Sequence, residues 1–432
     1  MADLSVNFAG IRSPNPFWLA SGPPANTYGQ VARAFDAGWG GAVWKTLGEP
    51  IINVYSRYGS IDFGGQRMAG LNNIELITDR PLDDNLKEIA EVKRNYPKHA
   101  VIVSLMVESK REAWHEIMKR TEDTGADGVE LNFGCPHGMS ERGMGAAVGQ
   151  VPDYACQITQ WVKEVATIPV IVKLTPNVTD VTYVARAAKQ GGADAISLIN
   201  TINSIVSVDL DSFAPDPSVR GDGSHGGYCG PAVKPIALNM VSACAADPGV
   251  GIPISGIGGI STWRDAAEFI ALGATSVQVC TAAMHYGFRI VEDMTDGLSN
   301  WMDEKGYRTI YDFAGKSVSH VRKWEDLDLN YFTVAKIDYE KCIECELCFS
   351  ACEDGAHQAI RRNERGSGRH AVEIIDEACV GCNLCSLVCP VQGCITMTQI
   401  PNGAPKVTWK DFTAGKGKLA ERPEHFHTAK FG

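Results

Sequence analysis

Positive charge is in deficit in this chain of 432 residues, where 40 Lys and Arg stand against 51 Asp and Glu and leave a net charge of −11. Nucleic acid and anionic bilayers attract basic surfaces, so neither is an expected partner. Long apolar runs are missing too. No stretch approaches the ~20 consecutive apolar residues that span a bilayer. The opening Met1-Ala-Asp-Leu-Ser-Val lacks the basic and then apolar regions of a secretory signal, so the expectation is a cytoplasmic protein. Nor are the cysteines spread as in a secreted scaffold. Nine of the 14 fall between Cys342 and Cys394 at regular spacing, which reads as metal ligation rather than disulfide bonding.

What is present has ordinary globular composition, enough for one large domain and a smaller one. Four times a helix-like stretch ends in glycine and runs into an apolar strand that stops at a polar or thiol residue. Gly38 leads to Lys45, Gly125 to Asn132, Gly192 to Asn200 and Gly273 to Cys280. Glycine suits a left-handed helix stop, and a wholly apolar strand suits a parallel sheet covered on both faces. Further strands fit at 17–20, 101–106, 170–173 and 253–255, with helical periodicity at 86–96, 113–124, 180–190 and 263–272. Eight such units predict a (β/α)8 barrel over residues 1–305 rather than an open sheet. A linker over 306–333, a ferredoxin-like domain over 334–398 and an extended tail over 399–432 complete the expected organisation. Barrel enzymes build their sites at the C-terminal ends of the strands, so the polar residues named above should converge.

The cysteines carry the sharpest signal. Cys342, Cys345, Cys348 and Cys352 follow C-x2-C-x2-C-x3-C, and Cys379, Cys382, Cys385 and Cys389 repeat it, with Pro390 after the last. In this two-cluster ferredoxin pattern the fourth cysteine of each run ligates the other cluster. One [4Fe–4S] centre should therefore take Cys342, Cys345, Cys348 and Cys389, and the other Cys379, Cys382, Cys385 and Cys352. Structural zinc uses four ligands in two pairs, which two quartets do not match. Cys394 is left over and expected to be packed.

Two clusters fused to a barrel imply a barrel-bound redox centre that exchanges single electrons, and a flavin does so while also moving a hydride. Barrels bind phosphate at the loops after strands 7 and 8. Here those loops read Ser255-Gly-Ile-Gly-Gly-Ile and Cys280-Thr-Ala, which makes FMN the economical cofactor. Gly221-Asp-Gly-Ser-His-Gly226 satisfies G-x-G-x-x-G, but the Pro-rich segment before it cannot be a central strand. With no nicotinamide-binding unit, electrons from NADH require a partner subunit.

With these residues in view, the chain resembles the catalytic subunits of bacterial NAD-dependent dihydropyrimidine dehydrogenases and the C-terminal half of the longer eukaryotic enzymes. The resemblance covers nearly the whole chain. It is carried by Leu71-Asn-Asn-Ile-Glu-Leu, Asn132-Phe-Gly-Cys-Pro-His-Gly-Met-Ser-Glu-Arg-Gly-Met-Gly, Lys173-Leu-Thr-Pro-Asn-Val-Thr-Asp and Asn200-Thr. It implies that Ser21, Lys45, Thr46, Lys173, Gly230, Gly258, Gly259, Cys280 and Thr281 hold FMN. It further implies a pyrimidine site of Asn73, Asn132, Phe133, Gly134, Asn200 and Thr201, with Cys135 as the catalytic acid and FAD and NADH on the partner of a hetero-oligomer. The family commonly has a serine where this chain has Gly134.

The implied chemistry agrees with the residues. Reducing the C5=C6 bond of uracil or thymine needs a hydride at C6 and a proton at C5, and a thiol of ordinary pKa near ~8.5 can give that proton around neutral pH. Gly138, Gly143 and Gly145 would let the Cys135 loop close over substrate, and His137 could tune the thiol. A pyrimidine-dione edge alternates acceptors and donors, which carboxamides satisfy without charge. Two rival readings stand beside this one. A dihydroorotate-type dehydrogenase has an acidic substrate and should need a cation over the pyrimidine. An electron-carrier subunit would use its barrel only as a scaffold.

Overall fold

Gly38, Gly125, Gly192 and Gly273 all take a left-handed φ, of 111°, 78°, 97° and 109°, a conformation that costs glycine no Cβ clash. Each stops a helix and turns the chain into a strand. The computed structural model describes residues 2–49, 51–136, 142–364, 368 and 370–421. It divides into two compact units, Met1–Val321 and Arg322–Gly432.

The first unit is a closed barrel of eight parallel strands: β1 (Phe17–Leu19), β2 (Gly41–Leu47), β3 (Ala100–Leu105), β4 (Gly128–Asn132), β5 (Val170–Lys173), β6 (Ala195–Leu198), β7 (Ile254–Ile257) and β8 (Ser276–Val279). Each pairs in parallel with the next, and β8 closes on β1. Every residue of all eight is buried, because one face fills the barrel and the other lies under helices. The helix Val181–Gln190 shows how the cover is made. Asp180 caps it by accepting from Thr182 N, and Val181, Val184, Ala185 and Ala188 form its buried stripe. Each fully buried Val contributes about 1.5–3 kcal/mol.

Two excursions build a roof that the eight-unit reading did not contain. Tyr58–Phe63 and Gln66–Asn73 follow β2, while Ile202–Ser204 and Gly226–Cys229 follow β6, and the four form one antiparallel sheet. Gly64 and Gly65, at φ 56° and 83°, make the two-residue hairpin turn between the first pair. The G-x-G-x-x-G run ends in the strand Gly226–Cys229, not in a helix. Residues 306–321 fold with the barrel, and Ile310 and Phe313 are buried in its core. Among the described residues no helix is long and apolar enough to cross a membrane.

In the second unit Phe332–Ile337 pairs antiparallel with Ile395–Ile400, and Ile360–Arg362 with Val372–Ile374. The helices Leu347–Gly355 and Leu384–Val388 repeat one device: each is preceded by a left-handed residue, Glu346 at 61° and Asn383 at 71°, set between cysteines. The tail is not wholly extended. Thr408 and Asp411 form a capping box on the short helix Trp409–Thr413, and Asn330 Nδ2 donates to Pro405 O at 2.8 Å.

Candidate functional site

The C-terminal ends of the strands and the roof enclose a cleft of about 1170 Å³ including its open mouth. Ser21 reaches it from beyond β1, Lys45 and Thr46 from β2, Asn132 from the end of β4 and Lys173 from the end of β5. Asn200 and Thr201 follow β6, Gly258 and Gly259 follow β7, and Cys280 and Thr281 follow β8. Asn73 and Gly230 arrive on the roof strands or just after them, and Cys135 lies in the loop after β4. Phe133 and Gly134 do not line the cleft. Phe133 turns into the core, edge-on to Trp114 at 6.3 Å. A Cβ on Gly134 would stand 2.4 Å from Asn200 Cβ. Asn200 thus fills the space that a serine at 134 would take.

A chain of neutral polar groups runs across the cleft floor. Ser21 Oγ lies 3.3 Å from Thr46 Oγ1, which is 2.9 Å from Ser104 Oγ and accepts from Asn132 Nδ2 at 3.1 Å. Asn132 Oδ1 in turn accepts from Asn200 Nδ2 at 3.0 Å and from Gly134 N at 3.1 Å. Asn73 is held by donating to Gly227 O at 2.9 Å, and Thr201 N donates to Asn200 Oδ1 at 2.8 Å. Cys135 is buried among Ile77, Met106 and Met144. Gly145, at φ 59°, lets the chain pass its carbonyl, because a Cβ there would lie 2.8 Å from Cys135 O. His137 and Gly138, to which the sequence assigned tuning and hinge roles, lie outside the described residues.

The charged groups were only half legible. Lys45 Nζ donates to Glu75 Oε1 at 2.5 Å, and Glu75 also accepts from Arg57 at 3.0 Å and from the Tyr58 hydroxyl. Lys173 Nζ faces Glu130 Oε2 at 3.5 Å. Glu130 has no exposed surface and accepts from Ser197 Oγ at 2.7 Å and Gln278 Nε2 at 2.9 Å. Burial, and then the hydrogen bond to Glu75, raise the Tyr58 phenol above its usual range. Burial also pushes Cys229 up to about 11 and Cys280 up to about 12, so both remain thiols. Glu75, Tyr58, Glu130 and Gln278 were missed from sequence. A polar residue inside each apolar strand, Glu130 in β4 and Gln278 in β8, was the signal available.

The cleft fits a flavin. Gln278 Oε1 is buried, borders the cleft and has no hydrogen-bond partner, an acceptor suited to a ring N–H. Gly258 and Gly259 keep their turn bare, because a Cβ on the first would lie 2.7 Å from Ala237 Cβ and on the second 2.8 Å from Gly230 O. Backbone can therefore approach a phosphate there.

In the second unit the interleaved quartets come together. Cys342, Cys345, Cys348 and Cys389 line one cavity, and Cys352, Cys379, Cys382 and Cys385 line another, each of about 340 Å³ including the space open to solvent. Among the described residues no group of three or more His, Cys, Asp or Glu is placed to hold a single metal ion; the thiols surround a volume, as a cluster requires. Cys394 lines the first cavity and donates to Asp338 O at 3.6 Å.

Residues 3–302 match the family described as dihydroorotate dehydrogenase, and residues 335–397 match the 4Fe-4S dicluster domain. The chain is 42% identical over 400 residues to the NAD-dependent dihydropyrimidine dehydrogenase subunit PreA of Escherichia coli (strain K12), covering 92% of this chain and 96% of that one. It is 42% identical over 337 residues to the chloroplastic dihydropyrimidine dehydrogenase (NADP(+)) of Arabidopsis thaliana, covering 75% and 79%. It is 36% identical over 312 residues to the dihydroorotate dehydrogenase B (NAD(+)) catalytic subunit of Pyrococcus abyssi, covering 72% and 98%. A solved dihydroorotate dehydrogenase from Eimeria tenella, in complex with ferulenol, shares the fold at a TM-score of 0.60 and 20% identity, over 72% of this chain and 88% of that one.

Proposed function

The chain belongs to the dihydroorotate dehydrogenase family of oxidoreductases, and from that premise we propose that it reduces the C5=C6 bond of uracil or thymine to the 5,6-dihydropyrimidine. The observation that carries this reading is the convergence of Asn73, Asn132, Asn200, Thr201 and Cys135 on one cleft. Carboxamides offer both donors and acceptors, so a row of them can read the alternating edge of a neutral pyrimidine-dione. In this role Asn132 and Asn200 are held by each other and by Thr46, which fixes the direction in which each amide points.

Bound in the same cleft, FMN would supply the hydride and take up electrons singly. Ser21, Lys45, Thr46, Lys173, Gly230, Gly258, Gly259, Cys280 and Thr281 would hold it, with Gln278 added to the residues named from sequence. Cys135 donates the proton to C5, and its burial among Ile77, Met106 and Met144 keeps water from that step. The two cysteine quartets would hold [4Fe–4S] clusters, which would supply single-electron transfer from a partner subunit carrying FAD and oxidising NADH. The strand that follows Gly221–Gly226 supports placing the nicotinamide site on that partner, since a dinucleotide fingerprint opens a helix. Fourteen cysteines with no disulfide among the described residues suit the reducing cytoplasm.

Titrating the anaerobic holoprotein with uracil should perturb flavin absorbance. Reduced viologen should drive uracil reduction by the chain alone, whereas NADH should not. Cys135→Ala should still bind uracil and accept electrons, yet turn over at least ~100-fold more slowly. Turnover like that of the wild type would remove Cys135 from its role, and a flavin spectrum indifferent to uracil would sink the substrate assignment.

A further inference from the structure

We propose that Glu75 selects uncharged pyrimidines: its carboxylate cancels the charge of Lys45, so that a pyrimidine bearing a ring carboxylate finds no cation to meet it. The inference rests on the pyrimidine-reducing function proposed above. Lys45, Lys173 and Glu75 are the charged side chains lining the cleft among the described residues. Each cation is already matched. Lys45 and Glu75 side chains are 6% and 8% exposed at 2.5 Å, and Lys173 and Glu130 are 7% and 0% exposed at 3.5 Å.

In a site this dry, a further carboxylate that is not paired and hydrogen-bonded meets a heavy desolvation cost. The carboxamides can satisfy a neutral ring but cannot balance a charge. Glu75 is also fixed in place. Lys45, Arg57 and Tyr58 all donate to it, and Arg57 is itself 3.6 Å from Asp79 at the rim. It cannot swing aside to lend Lys45 to an incoming anion without breaking those bonds. Glu75 comes from the excursion after β2, not from a barrel strand, and loops are where barrels vary substrate choice over a shared floor.

A merely structural Glu75 would affect every ligand alike, so the test is a ratio. Flavin absorbance of the holoprotein is titrated with uracil, orotate and orotamide, the last an uncharged near-isostere of orotate. Wild type should bind orotamide at least ~30-fold more tightly than orotate, because the orotate carboxylate is desolvated without the attraction of Lys45, and one uncancelled unit charge at roughly 8 Å and an effective dielectric near 20 is worth that factor. In Glu75→Gln the orotate-to-uracil affinity ratio should rise by a similar factor. An unchanged ratio in a variant that keeps its flavin overturns the inference. So does a wild type that binds orotate as well as orotamide, a result that needs no variant at all. In both cases uracil binding still stands, and the proposed function with it. A wild type that binds neither uracil nor orotamide overturns both together.

Discussion

Removing Glu130 tests whether one carboxylate holds the polar floor of the barrel together. It sits on β4 without exposed surface, 3.5 Å from Lys173 Nζ, and accepts from Ser197 at 2.7 Å and Gln278 at 2.9 Å. Glu130→Ala leaves Lys173 buried without its counter-ion and strips Ser197 and Gln278 of an acceptor. Breaking one side of a buried ion pair costs about 3–5 kcal/mol. Hydrogen bonds to a charged group are worth about 1.5–3 kcal/mol each, so the two lost here reach the same range by a separate route. The control is Glu130→Ala with Lys173→Met, which buries neither charge. Residues in contact couple by about 0.5–3 kcal/mol, and the double variant should recover an amount near the upper end. Anaerobic urea unfolding of the flavin-free chain, followed by tryptophan fluorescence, reads mainly this unit, since seven of the nine tryptophans lie in Met1–Val321. Strict additivity, or a Glu130→Ala loss below about 1 kcal/mol, would refute the reasoning.

The barrel was legible because its strands are short, apolar and announced by glycine. Gly38, Gly125, Gly192 and Gly273 each mark a helix stop whose left-handed φ only glycine adopts at no cost. The roof was not legible. Tyr58–Phe63 is exposed at five of its six positions, and Gln66–Asn73 mixes exposed and buried residues without strict alternation. Neither carries a period that separates a strand from a loop. The Gly64-Gly65 pair was the one local hairpin signal, and it passed unused.

The same division runs through the site. Fourteen of the sixteen barrel residues named from sequence line one cleft, because strand ends converge wherever eight strands close. Phe133 and Gly134 do not, since membership of a motif says nothing of the direction in which a side chain points. Partnerships were invisible in principle. Glu75 meets Lys45 across 30 residues, and Gln278 meets Glu130 across 148, so no local pattern records either. The interleaving of Cys389 with the first quartet and Cys352 with the second was legible only because the cysteine spacing itself encodes a crossed topology.

That crossed topology and the barrel rim each yield a measurable outcome. Anaerobic protein should hold about eight iron and eight sulfide per chain; Cys345→Ser and Cys389→Ser should each halve the iron by emptying the same centre, as judged by electron paramagnetic resonance, while FMN stays bound. Loss of different centres in the two variants would overturn the pairing. The rim prediction concerns His99, which is half-buried, stacks on Phe35 with 4.5 Å between centroids, and has Lys93 Nζ donating to its carbonyl at 3.1 Å. Burial, and then the Lys93 ammonium, push its pKa below the ordinary 6.5. The unfolded chain takes up a proton near that value and the folded chain resists, so the stability of the neutral imidazole is present above pH 6.5 and is lost as pH falls toward the folded pKa. His99→Gln removes the titration while keeping a polar side chain. The melting temperature of the variant should therefore fall less steeply below pH 6.5 than that of wild type. Parallel curves would mean that the Phe35 stack tolerates the imidazolium, and that some other group sets the acid limb.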